Sequence, residues 1–126
     1  MTVSNNNLDV LPQLAQGGRL ILGNWKMHGG VSANSELILD LLAGGEQLPA
    51  AVACGVCVPF PYLVQAGELL GDSRITWGAQ DVSCHEQGAY TGEVSASMLS
   101  DFDCTWVLVG HSERRAQHGE SSEQVA

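Results

Sequence analysis

Four short apolar runs, separated by stretches of helical pattern, restrict what this chain can fold into more than any other feature. They are Arg19–Trp25, Ala51–Val58, Ile75–Gln80 and Thr105–Gly110. Each run is near-continuous in apolar residues rather than alternating, as in strands covered on both faces. Between the first two, residues 32–43 place Leu37, Ile38, Leu41 and Leu42 on one helical face with Glu36 and Asp40 outside it, and Gly44-Gly45 stops the helix. Pro59 and Pro61 end the second run and lead into a predicted helix over 62–70, with Leu63, Ala66, Gly67 and Leu70 on one face. Residues 95–102 read as a short helix with Met98, Leu99 and Phe102 inward. The spacing Ser121-Ser122-Glu123-Gln124 is that of a capping box opening another helix. Strands joined through helices require crossover connections, so the class is α/β with a parallel sheet.

Composition removes several function classes. A formal net charge of -9 leaves no basic face for nucleic acid. No apolar run approaches the ~18 residues of a membrane span. Residues 1–18 contain no Lys or Arg, unlike a signal or transit peptide, and read as an amino-terminal extension of a cytoplasmic protein. Cys54 and Cys57 have the CxxC spacing of zinc or redox sites. On a strand, however, residues three apart face opposite ways, so the two thiols read as small core hydrophobes. A zinc site from Cys54, Cys57, Cys84 and His85 is the weaker alternative.

Chemistry-bearing residues gather where two of the runs end. Val107-Leu108-Val109-Gly110 is followed at once by His111-Ser112-Glu113-Arg114-Arg115, and Leu20-Ile21-Leu22-Gly23 by Asn24-Trp25-Lys26-Met27. Carboxyl ends of parallel barrel strands are where such folds hold catalytic side chains. The two clusters hold three of the chain's five Lys and Arg residues, which in an acidic protein points to an anionic ligand. Alone, Lys26 would read as a solvated surface charge, His111 as a structural histidine and Glu113-Arg114-Arg115 as a solvated helix start.

Together these segments resemble the triosephosphate isomerase family. Gly23-Asn24-Trp25-Lys26-Met27 is similar to the family's first-strand motif. Trp77-Gly78-Ala79-Gln80-Asp81, followed by Gly88-Ala89-Tyr90-Thr91-Gly92-Glu93, resembles its third strand and long third loop, and Val109–Arg115 its fourth-strand signature. The resemblance runs in order from about Arg19 to Ala126. It implies a (β/α)8 TIM barrel, of which residues 19–126 supply about the first four βα units. It implies interconversion of dihydroxyacetone phosphate and glyceraldehyde 3-phosphate, with no metal or organic cofactor. It also implies that Asn24 and Lys26 bind substrate, that His111 is the electrophile and that Glu113 is a supporting carboxylate near the lysine. Thr91 and Tyr90 would lie at the contact of a homodimer.

The residue types suit that chemistry. Moving a proton between adjacent carbons of a triose phosphate passes through an enediolate, whose negative charge a fixed lysine stabilises. A histidine at a helix amino end is disfavoured as an imidazolium. The family is the established case of a neutral histidine electrophile, so that state comes with the resemblance and not from these residues.

The family's catalytic base, a glutamate after the sixth strand, has no match in this chain. A complete barrel takes ~250 residues, so the chain reads as the first half of one, inactive alone. A non-enzymatic half-barrel module that binds an anion or a partner chain is the alternative.

Overall fold

The computed structural model describes residues 10–126. In chain order it contains α1 (Val10–Ala15), β1 (Arg19–Asn24), α2 (Val31–Gly45), β2 (Val52–Cys57), a single 3-10 turn (Phe60–Tyr62), α3 (Leu63–Leu70), β3 (Ile75–Ala79), α4 (Ala96–Asp101), β4 (Trp106–Val107), α5 (Ser112–His118) and α6 (Ser122–Val125). The four strands form one parallel sheet in the order β1-β2-β3-β4. Sequential parallel strands joined through helices are the arrangement of the first four units of a (β/α)8 barrel. Of the proposed extension, residues 1–9 lie outside the described residues, and α1 buries Val10.

Register divides the sheet into two faces. Val56, Val58, Ile75, Trp77 and Ala79 point towards the helices and pack with Ile38, Leu63, Ala66, Leu70 and Leu99 into the core. The opposite face carries the row Leu22, Gly55, Thr76 and the row Asn24, Cys57, Gly78, Trp106. Trp106 reaches across this face to donate from Nε1 to Thr76 Oγ1 at 2.7 Å. Gly55 makes room for it, since a Cβ there would lie 3.0 Å from Nε1 and 2.7 Å from the threonine hydroxyl.

The α2 stripe differs from the apolar pattern. Asn34, Ile38 and Gly45 are buried, Leu41 and Leu42 half-buried, and Leu37 exposed. Asn34 sits on the inner face because its polar groups have partners: Oδ1 accepts from Gly30 N–H at 3.2 Å, and Nδ2 donates to Gln65 Oε1 at 3.0 Å. That anchors the helix on a line about 60° away from Leu37. In α4, Leu99 alone is buried, while Met98 and Phe102 are exposed. The Phe102 carbonyl is tied down by Trp77 Nε1 at 2.8 Å, and its ring points out. β4 forms ladder pairs at Trp106 and Val107 only, with two further bonds to β3, from Thr105 N–H to Trp77 O at 2.9 Å and from Leu108 N–H to Ala79 O at 3.0 Å, and Gly110 turns the chain at φ 60°. The capping box at Ser121 and Gln124 is present.

Cys54 and Cys57 occupy opposite faces, paired with Ile75 and Gly78 respectively. Burial pushes the Cys57 thiol up to about 11 and raises that of Cys54, so both are protonated at neutral pH. Among the described residues no group of three or more His, Cys, Asp or Glu side chains is arranged to hold a metal ion, so Cys54, Cys57, Cys84 and His85 do not converge on one. No described helix is long and apolar enough to cross a membrane.

Candidate active site

A cleft of about 380 Å³ opens at the carboxyl ends of the strands, where Asn24, Lys26, Gln80, His111, Glu113 and Arg114 meet. β1 continues one bond past its end, with Trp25 N–H donating to Cys57 O at 3.0 Å. Lys26 then adopts φ 52°, a left-handed conformation uncommon outside glycine. The turn is closed locally, because Lys26 N–H donates to Asn24 Oδ1 at 2.8 Å. Asn is suited to this position because its short amide oxygen can bond a backbone N–H two residues on. The side chain of Lys26 extends across the sheet, and Nζ lies 2.7 Å from Glu113 Oε1.

Glu113 is the second residue of α5 and has two separate roles. Its backbone N–H donates to His111 Nδ1 at 3.2 Å, making His111 the cap of that helix. An Nδ1 that accepts is unprotonated, so the ring proton of the neutral imidazole sits on Nε2. The 3.7 Å approach of Nδ1 to Glu113 Oε2 is therefore proximity and not an ion pair. The Glu113 carboxyl is held below its ordinary value of 4.5, first by the hydrogen bond from Lys26 and then by the charge of Lys26.

That depression has a testable sign. The folded state binds this proton less tightly than the unfolded chain does. The pair's contribution is therefore fully present above the ordinary value of 4.5 and lost as pH falls through the lower folded value. Removing the ammonium by Lys26→Met should move the Glu113 titration up towards the ordinary range. Carboxyl ¹³C NMR across acidic pH measures this directly, and an unmoved midpoint would show that the lysine does not set it.

The arginines of the cluster are committed to the protein itself. Arg114 lies between Asp81 Oδ2 at 3.0 Å and Glu120 Oε2 at 2.8 Å. Arg115 donates from Nε to Gly110 O at 2.7 Å and from Nη1 to Ser122 Oγ at 3.1 Å. They brace the strand end and α5, and Lys26 is the cation that crosses the cleft to the residue after His111's helix start.

The structure thus brings Asn24, Lys26, His111 and Glu113 together. It does not bring in Thr91 or Tyr90, which are exposed on the loop between β3 and α4. This loop is closed at its base by Ser83 N–H to Val94 O at 2.8 Å, and its tip holds the His85 and Tyr90 rings stacked 3.8 Å apart. Sequence reading passes over Gln80, whose Nε2 donates to Lys26 O and to Cys57 O, both at 2.9 Å. Its position directly after β3 is the signal that marks it, because strand ends feed this cleft.

The model of the family described as triosephosphate isomerase matches residues 19–126. This chain belongs to the triosephosphate isomerase family. It is 59% identical over 110 residues to the triosephosphate isomerase of Bordetella pertussis, covering 86% of this chain and 43% of that protein. It is 56% identical over 108 residues to that of Cupriavidus taiwanensis, with 86% and 43% covered. For Nitrosomonas eutropha the identity is 52% over 106 residues, covering 84% of this chain and 42% of the relative. The chain therefore spans under half the length of these triosephosphate isomerases.

Proposed function

We propose that this chain supplies the substrate lysine and the electrophilic histidine of a triosephosphate isomerase. The reaction interconverts dihydroxyacetone phosphate and glyceraldehyde 3-phosphate. The observation that carries this reading is the convergence on one cleft of Lys26 with a His111 ring whose Nδ1 is already an acceptor. Nε2–H of such a ring can hydrogen-bond a substrate oxygen without the ring becoming cationic. A base takes the proton from one carbon, charge accumulates on the adjacent oxygens, and His111 Nε2–H meets that charge. The proton returns to the neighbouring carbon, so nothing is oxidised or reduced overall. Lys26 supplies positive charge for the phosphate-bearing substrate and for the enediolate, while Asn24 fixes the turn that presents it. No residue here matches the family's base, so the activity belongs to a chain carrying the later βα units as well. A cytoplasmic homodimer is the assembly in which the reading places it.

The test uses residues 1–126 joined to the later βα units of the Bordetella pertussis relative. Lys26→Met in that chain should lower kcat/KM for the triose phosphates by roughly ten- to a hundredfold, the effect of losing a charge-assisted hydrogen bond. Inhibition by phosphorylated analogues should weaken more than inhibition by their unphosphorylated counterparts. Equal effects on both would reduce Lys26 to a surface charge. An inactive but folded chimera would favour a half-barrel module that binds without catalysis.

The loop over 82–93 carries the dimer contact in this reading. It is longer than the usual two to about six residues of a βα connection, and Gly88 and Gly92 allow its tight tip at φ 132° and 91°. Tyr90 offers an amphipathic ring of the kind enriched at interfaces. Shortening the loop in the joined chain should give a monomer with impaired turnover, because Thr91 would no longer brace the partner's site. Sedimentation of the shortened protein as a fully active dimer would refute the assignment.

A further inference from the structure

Lys26 is the site residue with the least relaxed backbone, and its peptide is pinned from both sides. Its N–H is held by Asn24 Oδ1 at 2.8 Å, two residues back on the same strand end. Its carbonyl is held by Gln80 Nε2 at 2.9 Å, from the end of β3, two strands away. The same amide nitrogen donates to Cys57 O at 2.9 Å, at the end of the intervening strand. One NH₂ group has two hydrogens, and both are spent on carbonyls: that of Lys26, and that of Cys57, which also accepts Trp25 N–H at 3.0 Å. A left-handed residue other than glycine persists only where its surroundings over-determine it. At Lys26 the non-local hydrogen bond to the backbone comes, among the described residues, from the Gln80 side chain.

We propose that Gln80 is a positioning residue for the Lys26 ammonium, tying the ends of β1, β2 and β3 together so that the lysine is presented towards Glu113 and the cleft. The inference rests on the reading of Lys26 as the substrate lysine. Gln80 itself touches neither Nζ nor His111 through any bond in the structure. It acts through the Lys26 backbone. Without its two donors the carbonyls of Lys26 and Cys57 lose a shared partner. The turn can then relax towards the right-handed or extended regions, and Nζ moves away from Glu113 Oε1, at present 2.7 Å distant.

Two substitutions separate this role from general packing. Gln80→Met keeps the length of the side chain and removes its polar groups. Gln80→Glu keeps the shape and, when ionised, offers no donor to the two carbonyls. Each should lower kcat/KM by roughly tenfold or more in the chain joined to the later βα units, as expected for a displaced catalytic-site group. In a Lys26→Met background the same substitutions should change kcat/KM by less than about twofold, because there is no ammonium left to misplace. A second readout needs no turnover. The Glu113 carboxyl, held low by Lys26, should titrate closer to its ordinary value of 4.5 in both Gln80 variants. Effects that multiply equally in the two backgrounds, or a Glu113 titration that does not move, overturn the positioning role. Full turnover by Lys26→Met alone would instead overturn the isomerase reading and leave the titration result standing as a statement about structure.

Discussion

Residues 1–126 expressed by themselves should show no isomerase turnover above background. Joining them to the later βα units of the Bordetella pertussis relative should raise it by on the order of ten-thousandfold or more. The cleft holds Lys26, His111 and Glu113, and in the proposed reaction the rate these groups could add depends on charge created by removing a carbon-bound proton. With no positioned acceptor for that proton, the remaining groups have almost nothing to stabilise, and cooperating residues lose most of their effect together. The sheet adds a second reason. β1 and β4 are the two edges of the described sheet, with Ile21 57% and Val109 50% exposed beside them. Unpaired edges with apolar flanks favour association, so the segment should bind a separately supplied chain of the later units and recover part of the turnover. Near-normal turnover by residues 1–126 alone would require another base, and Glu93 and Glu113 would be the first to replace.

The strands are legible in the sequence because burial on both faces writes itself as an apolar run. Val56, Val58, Ile75 and Trp77 all lie where such runs predict. The capping box at Ser121 is legible because its partners are three residues apart. What is not legible depends on distant neighbours. Leu37, Met98 and Phe102 are apolar and correctly spaced, yet α2 turns on the bonded amide of Asn34, and α4 is too short to bury more than Leu99. Arg114 and Arg115 look like ligand-binding charges until Asp81, Glu120 and the Gly110 carbonyl are seen to occupy them. Within the site, Lys26 and His111 stand out by type and place. Gln80 is an unremarkable amide in the sequence, because both carbonyls it bonds belong to strands far along the chain, Lys26 by 54 positions and Cys57 by 23.

His111→Gln in the joined chain should lower kcat by about a hundredfold, the usual loss for an oxyanion donor, and change KM far less. In the proposed reaction the histidine acts on charge that is small in the bound substrate and large in the enediolate, so its contribution would appear in the rate of the chemical step. Glutamine retains an N–H donor and approximate size, and the substitution therefore does not simply empty the site. It replaces a rigid ring by a side chain with more rotatable bonds. It also loses the arrangement in which Glu113 N–H holds Nδ1 at 3.2 Å and thereby directs the ring and its Nε2 proton. That backbone bond is the structural reason to expect orientation, and not mere presence of a donor, to govern the rate. The Lys26–Glu113 pair should survive the change, since neither partner is removed. The Glu113 carboxyl should stay below its ordinary value, because Lys26, whose hydrogen bond is the largest cause that lowers it, remains in place. Steady-state kinetics in both reaction directions, with the carboxyl titration beside them, separate the outcomes. A raised KM with unchanged kcat would make His111 a ground-state binding group. A hundredfold fall in kcat together with a Glu113 carboxyl returned to its ordinary value would show that the damage runs through the lysine pair instead of through the lost imidazole donor.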